Sequence, residues 1–168
     1  INYEDPAQLY RSAMQGIGLF DGMYKDWVIE NNVIVTDHWH GITVLGAYNV
    51  RIVNNTVIDP NQETPGPPWI QISNHKDGTV PRDSVVRNNT ATGFTSTSIG
   101  VTEDHNRKIG FNDYDSFFVD AATFDLRSRA ESPAVDSGSP LLAPSLDRNR
   151  VTRPQGQDFD IGAYEYIN

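Results

Sequence analysis

The stretch from Val35 to Ile42, "VTDHWHGI", holds the residue pair whose types and spacing most directly suggest chemistry. His38 and His40 are two positions apart, and residues i and i+2 of a β-strand point to the same side. Such a pair could bind a metal ion, exchange protons with a substrate, or pack in the core. In phase with Ile42 and Val44, His40 would point inward, whereas a corner before the strand would reset that phase. The spacing alone leaves these interpretations open.

Two further histidines lie in short polar segments downstream. His75 and Lys76 lie in "NHKDG" (74–78), and His105 lies in "EDHN" (103–106). Imidazole and ammonium groups can transfer protons or neutralise a substrate carboxylate. The first segment ends in Asp-Gly, however, which is also typical of a polar turn. The candidate catalytic residues are His75, Lys76, His40 and His38.

Composition excludes several classes of function. The chain has 168 residues, a formal charge of -9 and only 13 Lys and Arg residues, which argues against nucleic-acid binding. There is no cysteine, so disulfides and thiolate chemistry are excluded. No apolar run approaches the roughly 18 residues of a membrane span, and no signal peptide is visible. Because the first residue is Ile1 rather than Met, we expect a mature product, a fragment or an excised domain of a longer chain.

Internal repeats indicate which elements position these side chains. An Asn pair follows a β-branched run at three places: Asn31-Asn32, Asn54-Asn55 and Asn88-Asn89. A second pattern of alternating apolar residues aligns on Ile17, Ile42, Ile70 and Ile99. A repeat of this length with β-branched strands and Asn turns predicts a solenoid of stacked parallel β-coils. The Asn pairs are expected at sharp corners, hydrogen-bonded from coil to coil, although a simple turn or a glycosylation sequon would also explain them.

Alternation within the strands predicts two faces. The inward residues are Ile17/Leu19, Ile42/Val44, Ile70/Ile72 and Ile99/Val101. The outward residues are Gly18, Thr43, Gln71 and Gly100. This alignment stacks Asp21, Gly46, Asn74 and Glu103 just past the core strand. We therefore expect Asp21, His75, Lys76, Glu103, Asp104 and His105 to converge along one edge.

Two of the three tryptophans lie close to the repeated strands and suggest contact with sugar rings. Trp69 lies in the proline-rich loop "NQETPGPPWIQ" (61–71), just before the predicted strand that contains Ile70. Trp39 lies just before the predicted strand that contains Ile42. Aromatic faces stack on sugars, although both indoles could instead fill corners of the core. The predicted substrate-binding residues are Asp21, Gln71, Asn74, Trp39, Trp69, Glu103 and His105. No metal ligands are predicted.

The repeats of residues 15–110 resemble the right-handed parallel β-helix superfamily, which includes pectate lyases, alginate lyases, mannuronan epimerases and phage tailspikes. The C-terminal segment resembles the terminal segment of many secreted bacterial β-helix proteins. The matching residues are Phe118, Ser132-Pro133-Ala134, Asp136, Gly138, Asp147, Arg153 and Asp160-Ile161-Gly162-Ala163-Tyr164-Glu165. The resemblance implies a last coil with a folded-back cap, in which Arg153 pairs with Asp136, Asp158 or Asp160.

We therefore predict an all-β fold: a right-handed, single-stranded parallel β-helix in one domain. Residues 1–15 would form a short helix that either caps the open end of the coils or is inserted between coils of a longer chain. Residues 16–112 would form the coils, and 113–168 the last coil and an irregular cap. The resemblance implies a secreted, periplasmic or cell-surface protein that acts on an acidic polysaccharide as a lyase or C5-epimerase. The alternative is a non-catalytic module that binds glycans or gives structure, and either form could oligomerise.

Departures from the known families restrict this expectation. The calcium-binding carboxylate cluster and arginine base of pectate lyases are not found, and "IDPNQ" (58–62) lacks the histidine of the epimerase D-P-H motif. No cofactor is expected, and no motif supports Ca²⁺. A hydrolase would need paired carboxylates, but Asp21 and Glu103 would be about 14 Å apart in the predicted stack. Hydrolysis therefore ranks below lyase or epimerase chemistry.

Overall fold

The computed structural model of the protein describes residues 14–62, 65–96 and 99–167. Within these ranges the chain is all-β, and its elements are short because turns interrupt the sequence every few residues. The helix predicted for residues 1–15 lies outside the described residues except for its last two positions, which are not helical. No helix in the described part of the chain is long and apolar enough to cross a membrane.

Most strands belong to three parallel sheets. The first sheet contains β1 (Ile17–Leu19), β5 (His40–Leu45) and β9 (Trp69–Ser73). The second contains β3 (Val28–Glu30), β7 (Arg51–Val53), β10 (Ser84–Arg87) and β12 (Val101–Asp104). The third contains β4 (Val33–Val35), β8 (Thr56–Ile58), β11 (Thr90–Ala91) and β13 (Arg107–Lys108).

The remaining elements are smaller. The strands β2 (Tyr24–Lys25) and β6 (Ala47–Tyr48) pair in parallel, and β14 (Phe118–Asp120) pairs antiparallel with β15 (Asp125–Ser128). One short α-helix, α1 (Tyr114–Phe117), lies between 3-10 turns at Phe111–Asp113 and Ala121–Thr123.

The chain passes through the first, second and third sheets in the same order on each pass. In the first sheet Ile17 lies opposite Ile42, and Ile42 lies opposite Ile70, as the sequence predicts. The side chains of Ile42, Val44, Ile70 and Ile72 are fully buried. They meet the inward residues of the other two sheets, among them Ile29, Ile52, Val86, Ile34, Val57 and Ala91, in one aliphatic core. Removal of this apolar surface from water is the main stabilising contribution.

The predicted position of the fourth repeat is wrong. Phe94, not Ile99, lies opposite Ile70 in the first sheet. Val101 lies opposite Ser84 in the second sheet, and Ile99 is fully exposed. β-Branched residues recur in all three sheets, so apolar spacing alone matched a strand of the second sheet to strands of the first.

The Asn pairs form the predicted hydrogen-bonded ladder. The Nδ2 atom of Asn32 donates to Oδ1 of Asn55, Asn55 donates likewise to Asn89, and Asn89 to Asn106, with distances of 2.9–3.0 Å. The residue before each of these asparagines has left-handed backbone, with φ between 49° and 55° at Asn31, Asn54, Asn88 and His105. His105-Asn106 is therefore a fourth corner of the same kind.

A second series of corners joins the first sheet to the second. Asp26, Asn49 and Asp83 all have left-handed backbone, with φ of 59°, 50° and 52°. Nδ2 of Asn49 donates to Oδ1 of Asp26 at 2.7 Å. Asp and Asn tolerate this conformation better than other side chains, which explains their recurrence.

The C-terminal segment lies alongside the Asn corners. Asn31, Asn54 and Asn88 donate side-chain hydrogen bonds to the carbonyls of Leu146, Asp160 and Ser139, respectively. A second apolar cluster joins the outer side chains of the third sheet to the residues that follow it: Val35, Ile58, Ile109, Tyr114, Phe117, Phe118, Leu126, Ala134 and Ile161. The segment expected to fold back as a cap thus contacts the corners of successive passes and braces them.

Arg153 has a structural role in this segment, but its predicted partner is wrong. Its Nη1 atom contacts Oε2 of Glu165 at 2.8 Å, and both side chains are fully buried. Nη1 and Nη2 also donate to the carbonyls of Asp160 and Gly162. Burial lowers the pKa of the Arg153 guanidinium. Asp136 instead accepts a hydrogen bond from the amide of Asp158.

Candidate functional site

Five aromatic and imidazole rings gather where the strands of the first sheet begin. We call this group, Phe20, His38, Trp39, His40 and Trp69, the aromatic patch. His40 opens β5, Trp69 opens β9, and the two residues are paired across the sheet. Their rings meet edge to face with centroids 5.4 Å apart, and Phe20 meets His40 edge to face at 4.9 Å. Such geometry is favourable for aromatic pairs.

A bulge at Gly41 turns His40 to the outer face. The register shifts between His40 and Ile42, whose partners Trp69 and Ile70 are consecutive, so β5 carries one extra residue. A side chain at Gly41 would not fit, because its Cβ would lie 2.5 Å from Cγ1 of Val57. The inward orientation of His40 is therefore wrong; the phase is reset, but by a bulge inside β5 rather than by a corner before the strand. Glycine in a strand is a common sign of such a bulge.

Thr43 links two rings of the patch. Its Oγ1 atom lies 2.9 Å from Nδ1 of His40 and accepts a hydrogen bond from Nε1 of Trp69 at 3.2 Å. Burial and the neighbouring His38 lower the pKa of His40, which favours the neutral imidazole at neutral pH. The hydrogen bonds fix both rings, so this part of the patch is preorganised.

His38 is mainly structural. It is buried, its amide donates to Oγ1 of Thr36, and its Nδ1 atom accepts the amide proton of His40 at 3.0 Å. A neutral imidazole that accepts through Nδ1 carries its proton on Nε2. The rings of His38 and His40 stack with centroids 5.1 Å apart. His38 thereby supports the position of His40.

Trp39 is the exposed member of the patch. Its side chain is 46% exposed, and its ring is nearly parallel to that of Trp69, with an interplanar angle of 10° and centroids 6.5 Å apart. Gln71 lies on the same outer face opposite Thr43, and its Nε2 atom donates to the carbonyl of Thr95 at 3.3 Å. Of the predicted binding residues, the structure thus brings together Trp39, Trp69 and Gln71.

A second polar group lies at the opposite end of the first sheet. Lys76 Nζ contacts Oδ1 of Asp21 at 2.5 Å, but both side chains are about three-quarters exposed. The Lys76 ammonium lowers the pKa of Asp21, and Asp21 raises the pKa of Lys76. Asn74 beside them is exposed. Surface pairs of this kind are weak and sensitive to salt.

His75 is held in a turn of this polar group. Its side chain is only 9% exposed, and Nδ1 lies 2.8 Å from Oδ1 of Asp77. Hydrogen bonds that the Asp77 carboxylate accepts from the Thr79 amide and from the His75 side chain lower the pKa of Asp77 to about 2. Backbone bonds from His75 to Thr79 and from Gly78 to His75 close the turn. The turn interpretation of "NHKDG" fits these contacts.

The candidate catalytic residues do not converge. β5 starts at His40 and ends at Leu45, and at about 3.3 Å per residue this places some 16 Å between the aromatic patch and the end of the strand. His75 and Lys76 lie beyond Ser73, the partner of Leu45. The two pairs of residues therefore cannot act on the same sugar ring.

Glu103 and His105 also lie apart from the aromatic patch, because β12 belongs to the second sheet. Glu103 is opposite Val86, and His105 occupies the fourth Asn corner. Asp104 binds Arg87 through both carboxylate oxygens, which lowers the pKa of Asp104 to about 2. The predicted convergence of Glu103, Asp104 and His105 with Asp21 is wrong, because the repeat alignment assigned β12 to the first sheet although it belongs to the second.

Metal binding finds no support in the described ranges, where no three His, Cys, Asp or Glu residues are placed to share a metal ion.

Phe20 is a member of the patch that the sequence did not suggest. A Cβ at Gly18 would lie 2.4 Å from the Phe20 ring, so the outward glycine of β1 provides the space for it. An aromatic residue just after a strand with an outward glycine was the available signal.

Comparison with known proteins gives no relative from which a function could be transferred. No family model matches the chain, and neither a curated protein nor a solved structure matches it significantly.

Proposed function

We propose that the passes of the chain wind as a right-handed, single-stranded parallel β-helix. The repeated order of the three sheets, the in-register pairs and the ladder from Asn32 to Asn106 support this winding. Such a fold offers long outer faces on which an extended polymer can lie across several passes. A secreted, periplasmic or cell-surface location is part of this proposal.

We propose that the aromatic patch binds carbohydrate. The observation that carries the proposal is the exposed Trp39 beside the nearly parallel Trp69, with polar groups on the adjoining face. Sugar rings have apolar C–H faces and polar edges, so a ligand can stack on indole while its hydroxyls meet His40, Thr43 and Gln71. Rings already fixed by hydrogen bonds lose little entropy on binding.

Affinity for glycans tests this proposal. Trp39→Ala should weaken binding about tenfold or more, because it removes the exposed stacking surface. Trp27 is a matched control, since it is also 46% exposed but lies beside Tyr24, outside the patch. Affinity electrophoresis against neutral and acidic polysaccharides, followed by calorimetry with the best ligand, would measure the effect. Equal losses for Trp39→Ala and Trp27→Ala would contradict a site at the patch.

A lyase or C5-epimerase acting on acidic polysaccharide is the second candidate function. Its support is the lowered pKa of His40, which makes a neutral imidazole available as a base next to the stacking surface. The reaction also requires a cation to neutralise the uronate carboxylate. None of the described residues that make a ring contact or a side-chain hydrogen bond with His40 or Trp69 is Lys or Arg, so binding without catalysis is the better-supported function.

The two functions differ in their products. A lyase acting on alginate, pectate or a glycosaminoglycan would generate an unsaturated uronate that absorbs ultraviolet light, and an epimerase would change the proton NMR spectrum of the polymer. We expect neither change, although the polymer that binds should be retained. Product formation that His40→Gln abolishes, without loss of binding, would establish the enzyme instead.

A further inference from the structure

Two adjoining cavities lie at the corner that follows β8, and none of their lining residues belongs to the aromatic patch. Their volumes are about 360 Å³ and 330 Å³, and they share Asp59, Phe111 and Tyr114 as walls. Cavities of this size hold small organic ligands. Residues of α1 and of the segments 59–62 and 66–67 line them, so the site depends on packing between distant parts of the chain.

Asp59 places a carboxylate in the shared wall. The residue is only 5% exposed, and its backbone is fixed because the Tyr114 hydroxyl accepts from its amide and donates to its carbonyl. Oδ1 accepts the amide proton of Asn61 at 3.1 Å. Oδ2 lies on the side of Gly66, which lines the second cavity. A ligand donor in that cavity can therefore reach a carboxylate oxygen in its wall.

The first cavity combines negative charge with aromatic walls. Asp59 and Asp115 line it together with Phe111, Tyr114 and Phe124, and none of the described residues that line it is Lys or Arg. Asp37, from the preceding pass, adds further negative charge beside Asp59. Lys108 lines only the second cavity, and Arg129 donates to the backbone carbonyl of Asp115. Carboxylates beside aromatic rings select a cation with an attached hydrocarbon.

We propose that this pair of cavities binds a protonated primary amine, with the ammonium group at Asp59 and Asp115 and its carbon atoms against Phe111 and Phe124. The ammonium group would donate to a carboxylate oxygen of Asp59, the residue that lines both cavities. Both an aliphatic amine and the free amine of an amino sugar have this chemistry. A neutral acetylated amine lacks the charge and would not bind.

Titration with putrescine, glucosamine and N-acetylglucosamine, in an amine-free buffer, tests the proposal and distinguishes the sources. Backbone NMR should show shifts at the amides of Asn61, Gly66 and Gly110 for the amines but not for N-acetylglucosamine. Tighter binding of putrescine would indicate an aliphatic amine, and tighter binding of glucosamine an amino sugar. Absence of shifts at these amides with both amines would overturn the proposal.

Variants locate the binding group. Asp59→Asn keeps the shape of the side chain and should weaken amine binding about tenfold or more, because a charged hydrogen bond is lost. Asp21→Asn removes the same charge from an exposed position and should leave binding unchanged. Gly66→Ala should also weaken amine binding, because the new Cβ atom would lie 2.6 Å from Oδ2 of Asp59 and obstruct the ligand. Unchanged binding in folded Asp59→Asn would overturn the proposal.

The pH dependence provides a further readout. Burial raises the pKa of Asp59 to about 6, and Asp37 adds to the rise. Putrescine remains protonated across this range, so its affinity should fall as the pH decreases through 6 and Asp59 becomes neutral. The fall should be absent in Asp59→Asn. A pH-independent affinity in the wild type would contradict a role for this carboxylate.

Discussion

Nδ1 of His40 lies 2.9 Å from Oγ1 of Thr43, on the face of the first sheet opposite the core residues Ile42 and Val44. A regular strand would place His40 on the core face, because side chains alternate. The extra residue at Gly41 changes that phase. One glycine therefore decides whether the imidazole is a packing residue or part of a surface for ligand contact.

Gly41→Ala should destabilise the protein and disturb the aromatic patch. The new methyl group would lie 2.5 Å from Cγ1 of Val57 and 2.9 Å from the carbonyl oxygen of Trp69. We expect a loss of about 1–3 kcal/mol in the free energy of unfolding, the usual range for overpacking. Urea unfolding would measure it. Gly22→Ala is the control, because its nearest contact would be at 3.8 Å, and equal losses in both would contradict this account.

The sequence predicts the first three repeats well because two independent patterns coincide there. Alternating isoleucines define the inward face, and an Asn pair follows each β-branched run. The fourth repeat failed because the distance between corners is not constant. It is 23 residues from Asn32 to Asn55, 34 to Asn89 and only 17 to Asn106. A fixed period therefore misplaced Ile99, whereas the second asparagine of each corner would have located the fourth pass.

The candidate site was less predictable because it depends on local departures from regularity. The positions of Trp39 and Trp69 just before successive strands suggested them as a pair, and the structure places them side by side. The bulge at Gly41 and the space above Gly18 arise from contacts with other passes, which a single sequence does not reveal. His75 was grouped with His40 by residue type, although the two residues lie at opposite ends of the first sheet, a full strand length apart.

Asn55 should contribute strongly to stability. It is fully buried, and its Nδ2 atom donates to the carbonyls of Ile29 and Val53 and to the side chain of Asn89. Asn55→Ala leaves these acceptors unsatisfied, and we expect a loss of about 3 kcal/mol or more in the free energy of unfolding. Asn112→Ala, at an exposed position, should change it by less than about 0.5 kcal/mol. Chemical denaturation followed by circular dichroism would compare them, and a small effect at Asn55 would refute the ladder as a stabilising element.

The ion pair between Arg153 and Glu165 should show strong coupling. Both side chains are fully buried, so removal of either one leaves an uncompensated charge. Arg153→Met and Glu165→Leu should each cost about 3–5 kcal/mol, and the double variant should cost much less than their sum. A double-mutant cycle based on urea unfolding provides the coupling energy. Additive losses would show that the two side chains do not act as a pair.

Asp59 should make stability depend on pH. Its pKa is raised by burial from 3.8 to about 6, so the folded protein prefers the protonated carboxyl. A group with a raised pKa in the folded state stabilises it below the unfolded pKa, and this contribution is lost as the pH rises through 6. The loss amounts to up to about 3 kcal/mol for a shift of this size. Asp59→Asn should therefore gain stability relative to the wild type between pH 4 and pH 7. Urea unfolding at several pH values would measure this difference, and a constant difference would mean that the Asp59 carboxyl does not titrate with folding.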